Sequence, residues 1–281
     1  MPELPEVEIT ARLLDEAVRG VEIESALAPG INALKTFDPP LSAVEGRTVA
    51  AVGRRGKMLT IAVEGELVLL VHLMSAGRLQ LFDTRASLRD RSSRLLLRLL
   101  DGRELRLREF GTKQAAWVKL LRAEALDADP ALADLGPEAW PDPPKLGPLL
   151  DAPRPLHGVL RDQKVIAGIG RSWVDEILHA ARLSPFKRGS DLDPDELERL
   201  RAAIVDRLGA PLVYYEEKLR LPIPDKLPMP LAVHRRQGES CPRCGDRLEA
   251  VFYEDYVMCY CPTCQTDGKL LKDRRLSRLL K

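Results

Sequence analysis

The spacing of apolar residues predicts an amphipathic helix at the start of the chain. Apolar side chains within residues 5–19 recur at helical spacing, and charged side chains lie between them. These apolar residues are Val7, Ala11, Leu14 and Val18. Gly20 is predicted to end the helix. Burial of the apolar face would hold the first residues of the chain in a fixed place.

A different pattern follows from Val21 to about Leu121, where short apolar or alternating runs are typical of strands. The runs are Thr48–Val52, Met58–Val63, Leu67–Leu73, Leu79–Phe82, Arg94–Leu100 and Glu104–Arg108. The dipeptides Glu64-Gly65 and Asp101-Gly102 separate neighbouring runs and are predicted to form hairpin turns. Closely spaced strands joined by tight turns favour an antiparallel β-sandwich.

The second half of the chain has a helical pattern followed by a segment rich in cysteine. Residues 127–155 are rich in Pro, Asp and Ala and are predicted to form a hinge with short helical turns. Helices are predicted at Leu156–Arg161, Arg171–Arg182 and Pro194–Leu208, and the proline-rich segment 213–234 is predicted to be an extended linker. The sequence therefore predicts three domains: a sandwich in residues 1–125, a helical domain in 126–222 and a cysteine-rich domain in 223–281.

Composition and charge exclude some classes of protein. The 281 residues include 43 Lys and Arg against 42 Asp and Glu, which gives a formal net charge of +1. A dedicated nucleic-acid binder is usually more basic, so this balance argues against DNA unless the basic residues lie together on one face. Charged residues interrupt every apolar stretch before it reaches the length of a membrane span, and the N-terminus lacks a signal region. We expect an intracellular protein that makes no membrane contact.

The cysteines predict a metal site. All five lie between Cys241 and Cys264, in two Cys-x-x-Cys pairs separated by sixteen residues, with one cysteine left over. This spacing is typical of a zinc ribbon in a reducing compartment, in which Cys241, Cys244, Cys261 and Cys264 bind one structural Zn²⁺. The extra residue, Cys259, is either a free thiol or a replacement ligand for Cys261. The paired spacing favours the free thiol.

The first residues suggest amine catalysis. Removal of Met1 would leave Pro2 as a secondary amine, and an α-amino group titrates near ~7.7–8.0, so part of it is neutral at cellular pH. Such an amine attacks an aldehyde carbon and forms an iminium ion, while the adjacent Glu3 moves protons. The alternative is a structural role, because proline and acids such as Pro5 and Glu6 are favoured in the first turn of a helix.

The octet MPELPEVE resembles the N-terminus of the formamidopyrimidine-DNA glycosylase / endonuclease VIII family of base-excision enzymes, and the resemblance recurs in order along most of the chain. It implies an α+β fold: an N-terminal antiparallel β-sandwich with an N-terminal helix, a helical helix–two-turn–helix domain and a C-terminal zinc ribbon. It also implies that Pro2 is the nucleophile, Glu3 the general acid and base, and Lys57 a contact to phosphate at the lesion. Glu6 and Glu176 are predicted to support the site.

The resemblance implies further contacts to DNA. His72 would contact the DNA backbone, Arg108 would face the orphaned base, and Phe110 would wedge into the base stack. The turn that contains Gly168 and Gly170 would bind the backbone through its N–H groups. Each feature also has a plain structural explanation. His72 would be a structural histidine, and Phe110 would be a core residue beside Arg108 at the surface. The two glycines would form a tight turn. Lys57 would be a solvated charge in a loop, and Glu176 would form a salt bridge.

Three positions depart from the family pattern. Ser75 stands where the family has a methionine that fills the gap left by the flipped base, and Met74 comes one residue early, which in a strand would change its face. Arg171 replaces an asparagine that contacts phosphate, although arginine also binds phosphate. Tyr256 replaces an arginine of the ribbon hairpin and follows Glu254 and Asp255, so this tip is acidic. The basic residues of the C-terminal tail either compensate or form a solvated end.

Two functional hypotheses follow. The first is a base-excision DNA glycosylase with AP lyase activity by β,δ-elimination, which acts as a monomer on damaged or abasic DNA in the cytoplasm, at the nucleoid. The second is a non-glycosylase protein of the same family that binds DNA damage or abasic sites, which the three altered positions suggest. A third hypothesis, a zinc-ribbon adaptor for other proteins, leaves the N-terminal octet unexplained.

Overall fold

The computed structural model describes residues 2–30, 32–110 and 114–272. The chain divides into two compact units. Met1–Asp134 and Leu212–Pro228 form the first, here called the N-terminal unit, and Leu135–Pro211 and Met229–Lys281 form the C-terminal unit. Among the described residues, no helix has both the length and the apolar character that a membrane span requires. The predicted domain limits at residues 125 and 222 stay a prediction.

The N-terminal unit contains helix α1 (Leu4–Val18) and two four-stranded sheets. The first sheet has the order β1-β6-β7-β5, with strands Ile23–Leu27 (β1), Gly77–Phe82 (β5), Ser93–Leu99 (β6) and Glu104–Glu109 (β7). The second has the order β2-β3-β4-β8, with strands Val49–Arg55 (β2), Met58–Val63 (β3), Leu67–His72 (β4) and Trp117–Arg122 (β8). All neighbouring strands are antiparallel, so the predicted sandwich is confirmed.

The two predicted hairpin turns are present. β3 pairs with β4 across Gly65, and β6 pairs with β7 across Gly102. Both glycines adopt the left-handed backbone region, with φ of 77° and 93°, where a side chain is disfavoured. Strands β1 and β8 are not among the predicted runs, because neither has a clear alternation of apolar and polar residues.

One apolar core joins the two sheets and α1. It is built from α1 residues together with inward-facing leucine, isoleucine and valine side chains of both sheets. Examples are Val7, Leu14, Ile61, Leu69, Leu97 and Leu107, all of which are fully buried. The predicted apolar face of α1 is therefore buried against the sandwich, and this burial fixes the start of the chain.

Short helices and a long one follow the sandwich. They are α2 (Pro130–Ala133), α3 (Leu146–Leu150), α4 (Leu156–Val159), α5 (Arg171–Ala181), α6 (Pro194–Lys218) and α7 (Pro262–Thr266). Short 3₁₀ turns lie at Leu41–Val44, Ala123–Ala125 and Gly189–Asp191. In the C-terminal unit, α5 packs against α4, α7 and strand β10 (Val257–Tyr260), which forms a hairpin with β9 (Glu249–Phe252).

Helix α6 corrects one prediction. It was expected to end at Leu208 and to be followed by an extended linker from residue 213, but it continues through Pro211 to Lys218. A proline inside a helix costs about 3 kcal/mol. The buried side chains of Leu212 and Tyr215 continue the apolar face beyond it, and their burial offsets that cost.

Candidate functional site

The two predicted catalytic residues lie directly before the first turn of α1. Pro2 is buried, and Glu3 is the residue that caps the helix, with its side chain 1% exposed. The backbone N–H of Glu3 donates to Glu6 Oε2 at 2.9 Å, in a capping box. The helix therefore sets the backbone position of Glu3, directly after the proposed nucleophile.

Glu6 is held in turn by a residue that the sequence does not point to. Tyr215, on α6 and within the N-terminal unit, donates its hydroxyl to Glu6 Oε1 at 2.7 Å. Both side chains are buried, and burial together with the Glu6 carboxylate raises the pKa of Tyr215, so its hydroxyl stays protonated and can donate. Tyr215 and Glu6 thus form a buried support beneath Glu3.

Lys57 lies in a two-residue turn, Gly56-Lys57, between β2 and β3. Gly56 has φ of 54°, a value that favours glycine. Strands β2 and β3 both pack against α1, and Arg54, just before the turn, forms an ion pair with Glu8 of α1 at 2.8 Å. The structure therefore brings Lys57 onto an element that is attached to the helix of Pro2 and Glu3.

His72 lies at the end of β4, opposite Met58 in the neighbouring strand. Burial, and secondarily the charge of Lys57, lower the pKa of His72 to about 4. Its Nδ1 accepts the backbone N–H of Met74 at 2.9 Å, so the neutral ring carries its proton on Nε2. His72 and Lys57 are therefore neighbours, and the histidine is neutral at pH 7.

The segment after His72 differs from the prediction. Residues 74–76 form a turn and not a strand, so the argument that one residue changes the face of Met74 is wrong. Met74 is half-buried with φ of 49°, and Ser75 is exposed at the tip of the turn. The alternation of side chains in a strand therefore does not determine the direction of either side chain.

Arg108 and Phe110 are brought together at the end of β7. The guanidinium carbon of Arg108 lies 4.6 Å from the centroid of the Phe110 ring, a cation–π contact, and the Phe110 side chain is 43% exposed. Arg108 also donates to Gln80 Oε1 at 3.3 Å and lies 3.5 Å from the carboxylate of Asp225. Residues 111–113, the rest of this loop, lie outside the described residues. The exposed ring and its arginine are suited to contact a base stack.

The glycine turn of the C-terminal unit leads directly into α5. Gly168 has φ of 109°, and its N–H donates to Gln163 Oε1 at 2.9 Å. Gly170 caps α5, and Arg171 is the first helical residue. The N-terminus of this helix has N–H groups and a partial positive charge that suit an anion.

Glu176 anchors the segment before the ribbon. Its Oε1 accepts three consecutive backbone N–H groups, from Ala232, Val233 and His234, at 2.8–3.1 Å. Burial raises the pKa of Glu176, although these hydrogen bonds oppose the shift. Within the C-terminal unit, Glu176 therefore attaches α5 to the chain that enters the ribbon. The sequence predicts a supporting role for this residue but not these partners.

The four predicted ligands converge. The Sγ atoms of Cys241, Cys244, Cys261 and Cys264 all lie within 4.8 Å of one another. Four thiolates about 2.3 Å from one Zn²⁺ would lie about 3.8 Å apart. The Sγ pairs Cys241–Cys264 and Cys244–Cys261 are separated by 3.9 and 3.5 Å, so the donor set fits one tetrahedral ion.

Cys259 lies outside this set. Its buried Sγ accepts the backbone N–H of Arg235 at 3.2 Å and faces Gln237. Burial raises the pKa of Cys259 to about 11. Of the two alternatives for this cysteine, the structure agrees with a free thiol.

Comparison with known proteins identifies the class. Residues 1–112 match the formamidopyrimidine-DNA glycosylase N-terminal domain, and residues 148–216 match the formamidopyrimidine-DNA glycosylase H2TH domain, which is the helix–two-turn–helix. The formamidopyrimidine-DNA glycosylase of Thermus thermophilus is 32% identical over 289 residues, which cover 95% of this chain and all of the relative. The chain therefore belongs to the formamidopyrimidine-DNA glycosylase family.

Solved structures agree. Lactococcus lactis Fpg in complex with DNA that contains N7-benzyl-Fapy-dG superimposes with a TM-score of 0.84 at 25% identity. The same enzyme with abasic-site DNA gives 0.83 at 25% identity. Each comparison covers 94% of this chain and all of the other. The predicted combination of sandwich, helical domain and four-cysteine ribbon is therefore confirmed.

Proposed function

We propose that this protein is a DNA glycosylase that also cleaves abasic sites, with Pro2 as its nucleophile. The observation that carries the proposal is the start of α1, where Pro2 and the capping residue Glu3 are buried and are supported by Glu6 and Tyr215. A catalytic group at a chain end needs such support, because chain ends are otherwise poorly ordered. Membership of a glycosylase family points in the same direction.

The chemistry begins at C1′ of a damaged nucleotide that has been turned out of the duplex. The amine of Pro2 adds to C1′ and gives up its N–H proton, while the bond from C1′ to the base breaks and the departing base takes up a proton. Glu3 delivers a proton to the ring oxygen as the sugar opens, which leaves an iminium ion between Pro2 and C1′.

Strand cleavage follows from the iminium ion. It acidifies the C2′ proton, which passes to the Glu3 carboxylate as the 3′ phosphate leaves, and a second elimination, with loss of a proton from C4′, expels the 5′ phosphate. Water then hydrolyses the iminium ion and frees Pro2. Lys57, on the turn beside α1, would hold a phosphate during these steps.

Further residues would hold the DNA. In the N-terminal unit, His72 would contact the backbone, Arg108 would face the orphaned base, and Phe110 would wedge into the base stack. In the C-terminal unit, the turn from Gly168 to Gly170 and the start of α5 would bind backbone phosphate. We propose damaged or abasic DNA as the partner of a monomer in the cytoplasm, at the nucleoid.

The four-cysteine site would hold one structural Zn²⁺. Four thiolates fill the tetrahedral shell, so the ion would fix the β9–β10 hairpin and have no open position for a reacting water. The cysteines themselves join the turn at 241–244 to the turn at 261–264. No step of the proposed reaction passes through this site.

Borohydride trapping tests the proposal. Protein whose mass shows that Pro2 is the first residue is mixed with an oligonucleotide that contains one abasic site. We expect borohydride to reduce the iminium ion to a stable adduct that maps to Pro2. The Pro2→Gly variant and protein that retains Met1 should lose strand cleavage by orders of magnitude. Cleavage at the wild-type rate by either would refute the mechanism.

A second candidate is a DNA-damage binder without glycosylase action. The observation that favours it is at the ribbon hairpin. There the exposed Asp255 carboxylate forms an ion pair with the Arg171 guanidinium at 2.5 Å, at a position where the family has a contact to phosphate. Tight binding to abasic duplex, with no adduct from protein that begins at Pro2, would establish the binder in place of the enzyme.

A further inference from the structure

The tip of the β9–β10 hairpin holds an unusual stack around one tyrosine. The ring of Tyr256 stacks on Tyr253, with centroids 4.4 Å apart and an interplanar angle of 17°. The guanidinium carbon of Arg161 lies 4.2 Å from the Tyr256 centroid, and the His157 ring lies 5.7 Å away at an angle of 13°. All four residues belong to the C-terminal unit. The hairpin therefore fixes a cation against an aromatic face.

Arg161 has unused hydrogen-bonding capacity. It follows the short helix α4, and its Nη1 is buried without a hydrogen-bond partner among the described residues. A guanidinium has five N–H donors, and a buried donor is costly when it is unpaired. The residue as a whole is only half-buried, so the same guanidinium can present its other N–H groups to an acceptor that comes from outside the protein.

A second guanidinium approaches the same ring. The guanidinium carbon of Arg171 lies 5.5 Å from the Tyr256 centroid, and this residue opens α5, where the helix dipole adds positive potential. Two arginines and a helix N-terminus thus surround one aromatic side chain. Such an arrangement suits an anion that is bound by both guanidinium groups. The planar fork of N–H donors in a guanidinium matches the geometry of phosphate.

One acid already occupies part of this cluster. Asp255 accepts two hydrogen bonds from Arg171, through its carboxylate at 2.5 Å and through its carbonyl oxygen at 2.7 Å. The side chains of Arg171 and Asp255 are 43% and 66% exposed, respectively, so water screens the pair and a better anion can displace the carboxylate.

We propose that Arg161 and Arg171 bind one phosphate group of the DNA backbone, that Tyr256 positions them, and that Asp255 competes with this phosphate for Arg171. The proposal rests on the proposed function, because it takes DNA as the ligand. In this proposal the acidic hairpin takes part in phosphate binding. The two arginines come from the helical segments, and the hairpin supplies the Tyr256 ring that orients them.

A salt titration tests the shared phosphate. The probe is a fluorescent duplex with a tetrahydrofuran abasic analogue, and its affinity is measured by anisotropy over a series of KCl concentrations. We expect Arg161→Met and Arg171→Met each to weaken binding about tenfold. The double variant should lose less than the product of the two effects, since both arginines bind the same group. Its plot of log affinity against log salt should be shallower by about 0.9.

Arg199→Met is the matched control, because Arg199 is an exposed arginine on α6 in the same unit. It removes one charge from a helix that contributes no residue to the stack. A salt slope for the double variant that equals the slope for Arg199→Met would overturn the proposal. Zinc content and thermal unfolding of each variant show that the fold is retained.

A gain of affinity tests whether Asp255 competes with phosphate for Arg171, because a misfolded variant would bind DNA less tightly and not more tightly. Asp255→Asn should bind the same duplex more tightly than Glu254→Gln, which removes an equal charge from the neighbouring exposed position. The difference should disappear when Arg171 is also replaced with Met. Equal effects of the two substitutions, or a difference that persists in the Arg171→Met background, would overturn the proposal.

The Tyr256→Leu variant tests whether the ring positions the two arginines or whether their charge alone is sufficient for binding. It keeps both arginines and removes the ring, so we expect weaker binding and a smaller gain from Asp255→Asn. Binding unchanged from wild type would overturn the positioning role. Failure of the proposed function is recognised independently: wild-type protein would then form no borohydride adduct. If wild-type protein forms the borohydride adduct but the salt slope of the double arginine variant equals that of Arg199→Met, only the proposed phosphate site is rejected.

Discussion

At the scale of single residues, the support of the N-terminal site depends on a contact between positions 209 residues apart in sequence, Glu6 and Tyr215. We predict that Tyr215→Phe lowers the free energy of unfolding by about 2 kcal/mol, because a buried carboxylate oxygen loses a charge-assisted hydrogen bond. The rate of abasic-site cleavage should also fall, since Glu6 holds the backbone of Glu3. Urea unfolding and single-turnover cleavage measure the two effects.

Tyr214→Phe is the control for this prediction. Tyr214 precedes Tyr215 on α6 and is half-buried, and its substitution removes the same hydroxyl group without a change at Glu6. We expect Tyr214→Phe to retain wild-type stability within about 0.5 kcal/mol. Equal stability losses in the two variants would show that the Glu6 hydrogen bond contributes nothing specific.

His72 makes the stability of the protein sensitive to acid. Its pKa is about 4 when folded, below the ordinary value of 6.5. The unfolded chain therefore binds a proton at higher pH than the folded protein does, so stability is complete above pH 6.5 and is lost as the pH falls towards 4. Each pKa unit corresponds to 1.36 kcal/mol, so the loss is ~3 kcal/mol at most.

The His72→Asn variant isolates this contribution. Asparagine keeps an acceptor for the Met74 N–H but does not titrate, so we predict that less stability is lost between pH 7 and pH 4.5 than in wild type. Urea unfolding at the two pH values measures the difference. The same loss in variant and wild type would mean that other groups cause the acid sensitivity.

At the scale of elements, the sequence predicts well where local pattern and burial agree. The helix at the N-terminus, most strands of the sandwich, both glycine hairpins and the four-cysteine ribbon follow from spacing alone. The end of α6 does not, because Pro211 is a local signal against a helix and long-range burial of Tyr215 outweighs it. For the same reason the Tyr256 stack is not predictable: its partners come from distant segments.

The ribbon gives a prediction with an internal control. We expect about one Zn²⁺ per chain in wild type and in Cys259→Ser, but substoichiometric Zn²⁺ in Cys261→Ser, because Cys259 lies outside the converging thiols. Metal analysis after gel filtration measures the zinc content. Chelation of wild type should release the ion and lower the thermal stability, since a structural site contributes to folding. Zinc loss in Cys259→Ser alone would reverse the ligand assignment.

At the scale of the whole molecule, a net charge of +1 must be reconciled with a polyanionic partner. The reconciliation lies in distribution: Lys57 is on a turn, Arg108 at a strand end, and Arg171 at a helix start. Near-neutral overall charge gives little long-range attraction, so in the proposed complex with DNA the affinity would depend on local contacts by these residues. A further concentration of basic residues lies near the C-terminus of the sequence.

Deletion of residues 273–281 tests the contribution of these basic residues. The deletion removes four cationic side chains and one acid, Asp273. We predict weaker binding to every DNA sequence, lesion or not, and a shallower salt dependence, because charge contacts to phosphate carry no sequence information. At saturating DNA the rate of borohydride trapping should be unchanged, since Pro2 and Glu3 are supported within the N-terminal unit. Unchanged affinity and salt slope would instead identify the tail as a solvated end, and a slower trapping rate at saturation would place it in the reaction itself.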